Sequence, residues 1–235
     1  MKPIAIFRHA ATEGPGYFAT FLANQGIPME LFKIDEAATV PSDPGRFGGL
    51  VFMGGPMSVN DDLPWIPRVL DLIRQAVARD IPVMGHCLGG QLMAKALGGS
   101  VGRNPVKEIG WGEVSIVDSP VARDWFDGAS PVFPAFHWHG ETFTLPAGAA
   151  RILESRYCEN QAFALGKHLA MQCHVEMTEE MVKAWCENGA QEIADNPGPG
   201  VQTAETMQKD LAQRVKALNG VAGLLYAHWI KGISA

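Results

Sequence analysis

Short apolar runs alternate along this chain with longer segments whose apolar residues recur at helical spacing. Residues 50–53 and 81–84 are apolar runs followed by glycine, and residues 27–34 form another short run, all typical of β-strands. Residues 14–25 and 64–80 carry the helical period instead. Strands that alternate with helices form parallel sheets with right-handed crossovers, so the pattern predicts an α/β fold with a mostly parallel central sheet.

The pattern changes between residues 98 and 146, where glycine, proline and β-branched residues occur in short runs. These runs predict antiparallel hairpins added to the sheet. Residues 163–165 and 168–172 predict a last strand pair. After a break rich in glycine and proline at residues 196–200, residues 201–230 have the pattern of a long amphipathic segment. This segment covers the core or contacts another subunit.

Composition and charge narrow the class of protein. The 235 residues are 47% hydrophobic, which is enough for one large core. A net charge of −6 without a basic cluster favours a small substrate over nucleic acid or an anionic membrane, and no stretch approaches the length of a membrane span. Four cysteines without regular spacing indicate reduced thiols and a cytoplasmic location: Cys87, Cys158, Cys173 and Cys186.

The most informative stretch is residues 82–94, an apolar run that passes through glycines into a helical pattern around one cysteine. It predicts a strand, a sharp turn and a helix, the thiol counterpart of the G-x-S-x-G nucleophile elbow. Gly85 and Gly89 suit this turn because the neighbours of a strained Cys87 must pack closely without a Cβ. We expect the sulfur to be exposed at the carboxyl edge of the sheet, where the helix N-terminus favours the thiolate.

A nucleophilic cysteine needs a base, and the base needs an orienting group. His174 and Glu176 are two residues apart at the end of an apolar run, so both side chains leave the same face of the predicted strand. A carboxylate there accepts the imidazole N–H, sets the tautomer and favours the imidazolium. The pair could also be a surface histidine and glutamate, but the elbow cysteine upstream favours the catalytic interpretation.

The ordered set of motifs resembles the class I, triad-type glutamine amidotransferases. The chain is similar to the amidotransferase part of GMP synthase and to the stand-alone bacterial proteins grouped with it. The resemblance covers residues 1 to about 178. The matching stretches, in family order, are residues 52–58, 85–91, 108–111, 138–141, 160–163 and 172–176.

This resemblance implies a fold and a role for each candidate residue. The implied fold is a flavodoxin-like three-layer sandwich with a mostly parallel central sheet, antiparallel hairpin additions and C-terminal helices. The implied roles are nucleophile, base and orienting carboxylate for Cys87, His174 and Glu176, oxyanion donors for the main-chain amides of Gly55 and Leu88, and substrate contacts for Gly54, Gln91, His139 and Gly140.

The expected reaction is hydrolysis of the glutamine side-chain amide to glutamate and ammonia through a Cys87 thioester. Two other functions stay open at this point. The same three residues suit a γ-glutamyl peptidase that cleaves a γ-glutamyl amide other than glutamine. A binding or redox-sensing flavodoxin-like module would keep the elbow cysteine alone, and it has no need of His174 and Glu176 together.

Residues 137–141, His-Trp-His-Gly-Glu, raise the question of a metal site, because two histidines at i and i+2 with a carboxylate can chelate an ion. We predict no metal here, since no third histidine-rich segment completes a site and the family uses none. The resemblance likewise implies no cofactor. The other histidines have no partner pattern in the sequence and are expected to be structural or solvated.

We expect a single class I amidotransferase domain over residues 1–235, in which residues 178–235 form a helical C-terminal extension. No ATP-pyrophosphatase or other synthetase region is present, so an ammonia acceptor would lie on a separate synthetase subunit or not exist. A homo-oligomer is compatible with the C-terminal segment. The chain departs from the family pattern at Val175, Cys173 and Gly90, where proline, an aromatic residue and histidine are usual.

Overall fold

A nine-stranded sheet forms the centre of the molecule, and its first half is parallel. The structure is a computed structural model that describes residues 2–233. The parallel strands are β1 (Ile4–Arg8), β2 (Met29–Lys33), β3 (Gly49–Phe52), β4 (Val83–His86) and β9 (His168–Met171). They pair in the order β2-β1-β3-β4-β9, so their carboxyl ends meet at one edge of the sheet.

The second half of the sheet is antiparallel and continues from β9 through the strands of the middle segment. These strands are β5 (Val101–Ile116), β6 (Val132–Phe143), β7 (Ala150–Ser155) and β8 (Ala162–Leu165). Their order is β8-β7-β5-β6, and β8 pairs antiparallel with β9. The register of β5 on β6 shifts between Arg103 and Glu108, which marks an irregularity beside the site described below.

Helices cover both faces of the sheet. They are α1 (Gly16–Asn24), α2 (Ile66–Ala78), α3 (Leu88–Ala96), α4 (Pro120–Trp125), α5 (Glu179–Asn188), α6 (Ala190–Asp195), α7 (Ala204–Gln208) and α8 (Leu211–Ile230). Apolar residues of α1, α5 and α8 pack into one core, and those of α2 and α3 pack into a second core on the other face. No helix within residues 2–233 has both the length and the apolar character to cross a membrane.

The two cores follow from the alternation of side chains along each strand. In β1, Ile4 and Ile6 belong to one core, whereas Ala5 and Phe7 belong to the other, and all four side chains are fully buried. Successive residues of a strand point to opposite faces, so a strand covered on both faces must be apolar throughout. The predicted α/β three-layer architecture is thereby confirmed.

Three elements differ from the predictions. The short helix α4 was not predicted, since residues 98–146 were interpreted as hairpins alone, and the strand β7 lies in a stretch to which no element was assigned. The predicted continuous segment over residues 201–230 is wrong in one respect: α7 and α8 are separate helices, divided at Asp210, which has a φ of 52°. A single residue in the left-handed region ends a helix without disturbing the apolar period around it.

Candidate active site

A cavity of about 680 Å³ lies where the parallel strands end. The loops after β1, β3, β4 and β9 contribute to its wall, as expected for the carboxyl edge of an open α/β sheet. The predicted residues on its wall are Gly55, Cys87, Gln91, His139, Gly140 and His174. Gly54, Leu88 and Glu176 lie behind this wall. The structure therefore gathers residues from distant parts of the chain into one place.

Cys87 occupies the sharp turn between β4 and α3. Its φ of 50° and ψ of −108° are a conformation that a residue with a Cβ rarely adopts. A Cβ on Gly85 would overlap the main chain of Gly89, and a Cβ on Gly89 would overlap the carbonyl of Phe52. Both glycines are therefore required by close backbone packing, which confirms the predicted elbow.

The position of the Cys87 sulfur differs from the prediction in its exposure. Cys87 is only 6% exposed, although its side chain forms part of the cavity wall. The Nε2 amide of Gln172 lies 3.5 Å from Sγ, and the main-chain oxygen of Trp138 lies 3.8 Å from it. The prediction of an exposed sulfur is wrong because β6 and Gln172 enclose the thiol, which faces the cavity instead of bulk water.

His174 and Glu176 form the closest polar pair of the site. Nδ1 of His174 lies 2.7 Å from Oε1 of Glu176, and both side chains are buried. The main chain of His174 is held on β6 by hydrogen bonds in both directions with Phe136. The ring of Trp185 packs edge-to-face on the imidazole, with 4.8 Å between ring centroids. These contacts fix the ring, so that its second nitrogen, Nε2, is free to face Cys87.

The charges of this pair are set by burial and by each other. Burial alone would lower the pKa of His174, but the Glu176 carboxylate and hydrogen bonding with Cys87 and Glu176 raise it well above its usual value. Burial alone would raise the pKa of Glu176, but His86 and His174 lower it to about 2. Nε2 of His174 makes no conventional hydrogen bond within residues 2–233, so its interaction with the Cys87 thiol is a longer contact.

His86 is a neighbour of Glu176 that the sequence reasoning did not identify. Its Nε2 lies 3.7 Å from Oε2 of Glu176 and 3.2 Å from the hydroxyl of Tyr226. Burial lowers the pKa of His86, and the neighbouring Glu176 carboxylate opposes this shift. The second oxygen of Glu176 thus faces a histidine of β4, which in turn contacts a tyrosine of α8. The one available signal was a polar residue in an otherwise apolar strand.

The predicted oxyanion donors lie side by side. Leu88 is the first residue of α3, where a main-chain N–H has no acceptor within the helix. A Cβ built on Gly55 would lie 2.7 Å from a methyl carbon of Leu88, so the β3 loop packs directly on the start of α3. This packing brings the two segments that carry the predicted donors together.

Gln91 lines the cavity, but its side-chain amide is engaged. Its Nε2 donates to Oε1 of Gln172 at 3.1 Å, and Gln172 in turn reaches Cys87. Gln172 was a matched position without an assigned role. The structure makes it the link between the cysteine and Gln91, which is a connection across more than eighty residues of sequence.

His137 and His139 belong to a buried polar cluster with Glu108 of β5. Their ligand-type atoms lie within 4.8 Å of one another, so the carboxylate that joins the two histidines comes from β5 and not from Glu141 of the motif. The carboxylate of Glu108 faces Nε2 of His139 at 3.1 Å and accepts hydrogen bonds from Gln161 and Ser155. Burial would raise the pKa of Glu108, but His139, His137 and Ser155 lower it. The carboxylate is therefore already satisfied by protein donors.

The C-terminal helices close one side of the cavity. Trp185 of α5 and Glu192 of α6 both line it. Glu192 accepts from Lys107 of β5 at 2.5 Å and from the indole N–H of Trp138 at 2.8 Å. These bonds connect α6 to the two long antiparallel strands, so the extension is part of the cavity wall.

Glu13, in the loop after β1, is a further cavity residue that the sequence reasoning missed. Its Oε2 occupies the space that a Cβ on Gly54 would need, and Cε1 of His174 lies 3.1 Å from the same point. Burial raises the pKa of Glu13 to about 7, although the positive charge of His174 opposes this rise. The available signal was its position in a loop at the carboxyl end of a parallel strand.

The fold and site define an α/β protein with a cysteine elbow and a histidine–glutamate pair at the carboxyl edge of its sheet. The chain belongs to the class I glutamine amidotransferase family, because the model of that family matches residues 18–192. A solved glutamine amidotransferase from Methylobacillus Flagellatus is 44% identical to this chain and superposes on it with a TM-score of 0.97. The match covers 100% of this chain and 96% of the solved chain.

Curated relatives agree on the family but differ in what they are named for. The chain is 29% identical to the glutamine amidotransferase-like protein YfeJ of Salmonella typhimurium, over 81% of this chain and 82% of that one. It is 25% identical to Gamma-glutamyl peptidase 3 of Arabidopsis thaliana, over 86% of this chain and 80% of that protein. A GMP synthase of Wolbachia pipientis is 28% identical over 66% of this chain, but the match spans only 31% of that synthase.

Proposed function

We propose that the protein is a glutaminase-type amidotransferase in which Cys87 is the nucleophile, His174 the base and Glu176 the group that orients the base. The observation that carries this proposal is the fixed imidazole of His174. Glu176 holds one ring nitrogen at 2.7 Å, and the other nitrogen faces the Cys87 thiol at the cavity wall. This is the arrangement that nucleophilic catalysis by a thiol requires.

In the first step, the Cys87 thiolate attacks the side-chain amide carbon of glutamine. The carbonyl π electrons move onto oxygen, and the main-chain N–H groups of Gly55 and Leu88 stabilise the resulting oxyanion. His174, as the imidazolium, then donates its proton to the amide nitrogen. The carbon–nitrogen bond breaks, ammonia leaves, and a γ-glutamyl thioester remains on Cys87.

In the second step, neutral His174 removes a proton from water, which attacks the thioester carbon. Collapse of the second tetrahedral intermediate breaks the carbon–sulfur bond and releases glutamate. The sulfur leaves as thiolate, and His174 is again the imidazolium. Glu176 holds the same ring nitrogen throughout, so the histidine needs no reorientation between the two proton transfers.

We assign the amino-acid end of glutamine to the β6 wall of the cavity, at the main chain near His139 and Gly140, with a contact from the amide of Gln91. Gly54, which precedes the proposed oxyanion donor Gly55, would contact the substrate nearer to the reacting amide. Support comes from the cavity lining, which includes His139, Gly140 and Gln91. Gln91 would contact the substrate only with the side-chain oxygen or by exchanging its bond to Gln172.

The proposal extends to the acceptor of the ammonia that the reaction releases. The relative named GMP synthase matches this chain over a minor part of its own length, so a synthetase partner on a separate chain is consistent with the comparison. We propose that such a subunit supplies the acceptor. We also propose that residues 1–235 act as one domain, because α8 side chains share a core with α1 and β1.

A second candidate function is γ-glutamyl peptidase activity with the same three residues. It is favoured by the relative named Gamma-glutamyl peptidase 3 and by the size of the cavity. A volume of about 680 Å³ is in the range of pockets that hold drug-sized ligands, so a leaving group larger than ammonia has room. Ammonia release from glutamine, measured beside amine release from γ-glutamyl dipeptides, decides between the two.

The proposal is tested by Cys87→Ala, which removes the nucleophile. We expect ammonia release from glutamine to fall by at least about 10³-fold, since the thioester cannot form. Cys158→Ala is the matched control, because burial raises the pKa of that thiol to about 11 and it lies outside the cavity wall.

Covalent labelling gives a second measurement on the same proteins. An electrophilic glutamine analogue is expected to label wild type and Cys158→Ala but not Cys87→Ala. Undiminished ammonia release by Cys87→Ala would contradict the mechanism. Rapid peroxide oxidation of Cys87 without labelling by the analogue would instead support the redox-sensing module.

A further inference from the structure

The carboxylate of Glu13 lies beside the imidazole of His174, and the two groups are not hydrogen-bonded to each other. The pKa of Glu13 is shifted by burial and by the charges of His174 and Glu176. Within residues 2–233, no hydrogen bond to the Glu13 carboxylate contributes to this shift. It lines the cavity together with Cys87 and His174. A partly buried carboxylate with no protein donor, directed at a substrate cavity, is available to a ligand.

The loop that carries Glu13 is fixed on both sides. The indole N–H of Trp185 donates to the main-chain oxygen of Thr12 at 2.8 Å, and the main-chain N–H of Tyr17 donates to the oxygen of Glu176 at 2.8 Å. The Glu13 amide also closes a turn on Ala10. The loop is therefore attached to α5 and to the segment that holds His174, so the position of Glu13 relative to the imidazole is set by the fold.

The side of the substrate that Glu13 meets follows from the imidazole ring. In the proposed reaction, His174 protonates the departing nitrogen through Nε2, so that nitrogen lies next to Nε2. Cε1 is bonded to both ring nitrogens, and Nδ1 is already engaged by Glu176, so the side of Cε1 that is open to a substrate is the Nε2 side. Both Cε1 and the Glu13 carboxylate lie against the same point on Gly54. Glu13 is thus on the leaving-group side of the amide. The amino-acid end lies on the β6 wall near His139 and Gly140.

We propose that Glu13 is a selectivity residue that disfavours γ-glutamyl substrates whose leaving group carries a negative charge. This inference rests on the proposed function. Glutamine releases ammonia, which brings no charge near Glu13. A γ-glutamyl-amino acid would place the carboxylate of its leaving amino acid close to Glu13, and like charges across a desolvated contact are destabilising. The accepted class is therefore glutamine and γ-glutamyl amides of neutral or positively charged amines.

The selectivity has a pH signature. Glu13 is protonated and uncharged at pH 6 and ionised at pH 8, because burial raises its pKa to about 7. Discrimination against an anionic leaving group therefore increases over this range. His174 and Glu176 act on Glu13 directly. The other ionisable groups of the cavity wall are Cys87, Arg103, Lys107, His139, Glu141 and Glu192.

Equilibrium binding to the Cys87→Ala protein tests the proposal without turnover. The ligands are γ-glutamylglycine and γ-glutamylglycinamide, which match in size and differ in the charge of the leaving group. Calorimetry at pH 8 is expected to give a dissociation constant about tenfold larger for γ-glutamylglycine, as expected for two charges a few ångströms apart in a partly solvated site. At pH 6 the two dissociation constants should differ by less than about threefold.

Variants of the same protein show whether the discrimination between the two ligands comes from Glu13 or from a neighbouring residue. Cys87→Ala/Glu13→Gln should bind both ligands equally at both pH values, whereas Cys87→Ala/Glu13→Asp keeps part of the discrimination. Cys87→Ala/Glu113→Gln is the matched control, since Glu113 is exposed on β5 outside the cavity wall, and it should behave like the parent. Unchanged thermal unfolding of the Glu13 variants excludes a folding effect.

Equal binding of both ligands by the parent at pH 8 would overturn the proposal, as would discrimination that persists in the Glu13→Gln variant. Failure to bind either ligand would overturn it too. The proposed function has its own test in the wild-type protein. Selective binding combined with no release of ammonia or amine would remove the proposed reaction and leave the selectivity of Glu13 standing.

Discussion

His174 combines, in one side chain, full burial and a strong preference for the charged form. Removing an imidazolium from water is costly, and the structure compensates this with the carboxylate of Glu176 at 2.7 Å. The edge of Trp185 contacts the ring and excludes water from it. The same carboxylate also sets the tautomer, because it accepts the Nδ1–H bond. The Glu176 carboxylate therefore contributes to both the position and the charge of the His174 ring.

Glu176→Gln tests this coupling at the residue scale. The amide has nearly the same shape, but it can donate to Nδ1 and so favour the wrong tautomer. We expect kcat for ammonia release to fall by about 10²- to 10⁴-fold, with the protein still folded. Steady-state assays give the value. Glu180→Gln, an exposed carboxylate at the start of α5, is the control, and equal activity of Glu176→Gln and this control would contradict the proposed role.

The element that positions Cys87, the proposed nucleophile, is the β4–α3 unit. Its helix starts directly after this strained cysteine, so the first N–H groups of α3, which have no acceptor within the helix, lie next to it in the chain. This is possible only because glycines at positions 85, 89 and 90 allow close packing of the main chain against β3 and β9. At Gly90 a Cβ would overlap the carbonyl of Met171. The departure from the family pattern at this position thus has a packing reason in this chain.

Gly89→Ala measures how closely that unit is packed. The added Cβ would overlap the carbonyl of Phe52, which is backbone and cannot turn aside, so we expect a loss of about 3 kcal/mol in the free energy of unfolding. Gly220→Ala is the matched control, since nothing lies within 4 Å of a Cβ there and the position is inside α8. That variant should gain about 0.5–1 kcal/mol. Urea denaturation compares them, and equal stability of the two variants would argue against the tight elbow.

Across the whole molecule, several histidines are buried in the folded protein. His9, His137 and His168 lie in different elements, and burial lowers the pKa of each to about 4. In the unfolded chain the same rings take up a proton near pH 6.5. The fold therefore requires these histidines to be neutral. Protonation at low pH favours the unfolded chain at each of them.

We therefore expect the free energy of unfolding to decrease as the pH falls from about 6.5 to about 4. In this range the unfolded chain binds protons that the folded protein does not, so stability rises with pH and is fully present above 6.5. His168→Asn keeps an acceptor for the main-chain N–H of Val83 and removes the titrating ring.

The free energy of unfolding of this variant should decrease by on the order of 3 kcal/mol less than that of wild type between about pH 6.5 and about pH 4. The reason is that the variant lacks the His168 ring, whose pKa burial lowers to about 4. Urea unfolding at several pH values between 4 and 7 measures the difference. The same acid dependence in wild type and His168→Asn would show that this histidine does not contribute.

What the sequence determined by itself is local in character. The strand–turn–helix around Cys87 was predictable because glycine is needed wherever backbone packs on backbone. The pairing of His174 with Glu176 was predicted from the two-residue period of a strand, but β9 ends at Met171, so the two side chains meet in the segment that follows the strand. The alternation of apolar runs and helical periods was enough to predict the layered α/β fold.

Only the tertiary structure decided which distant residues share a contact. His86 and Tyr226 meet across 140 residues, Gln172 bridges Cys87 and Gln91, and Glu13 reaches His174 from the first loop of the chain. It also decided that the thiol is enclosed and that α7 and α8 are separate. Periodicity reports which face of an element is apolar, whereas the partner of a polar side chain depends on how whole elements pack, and no local pattern encodes that.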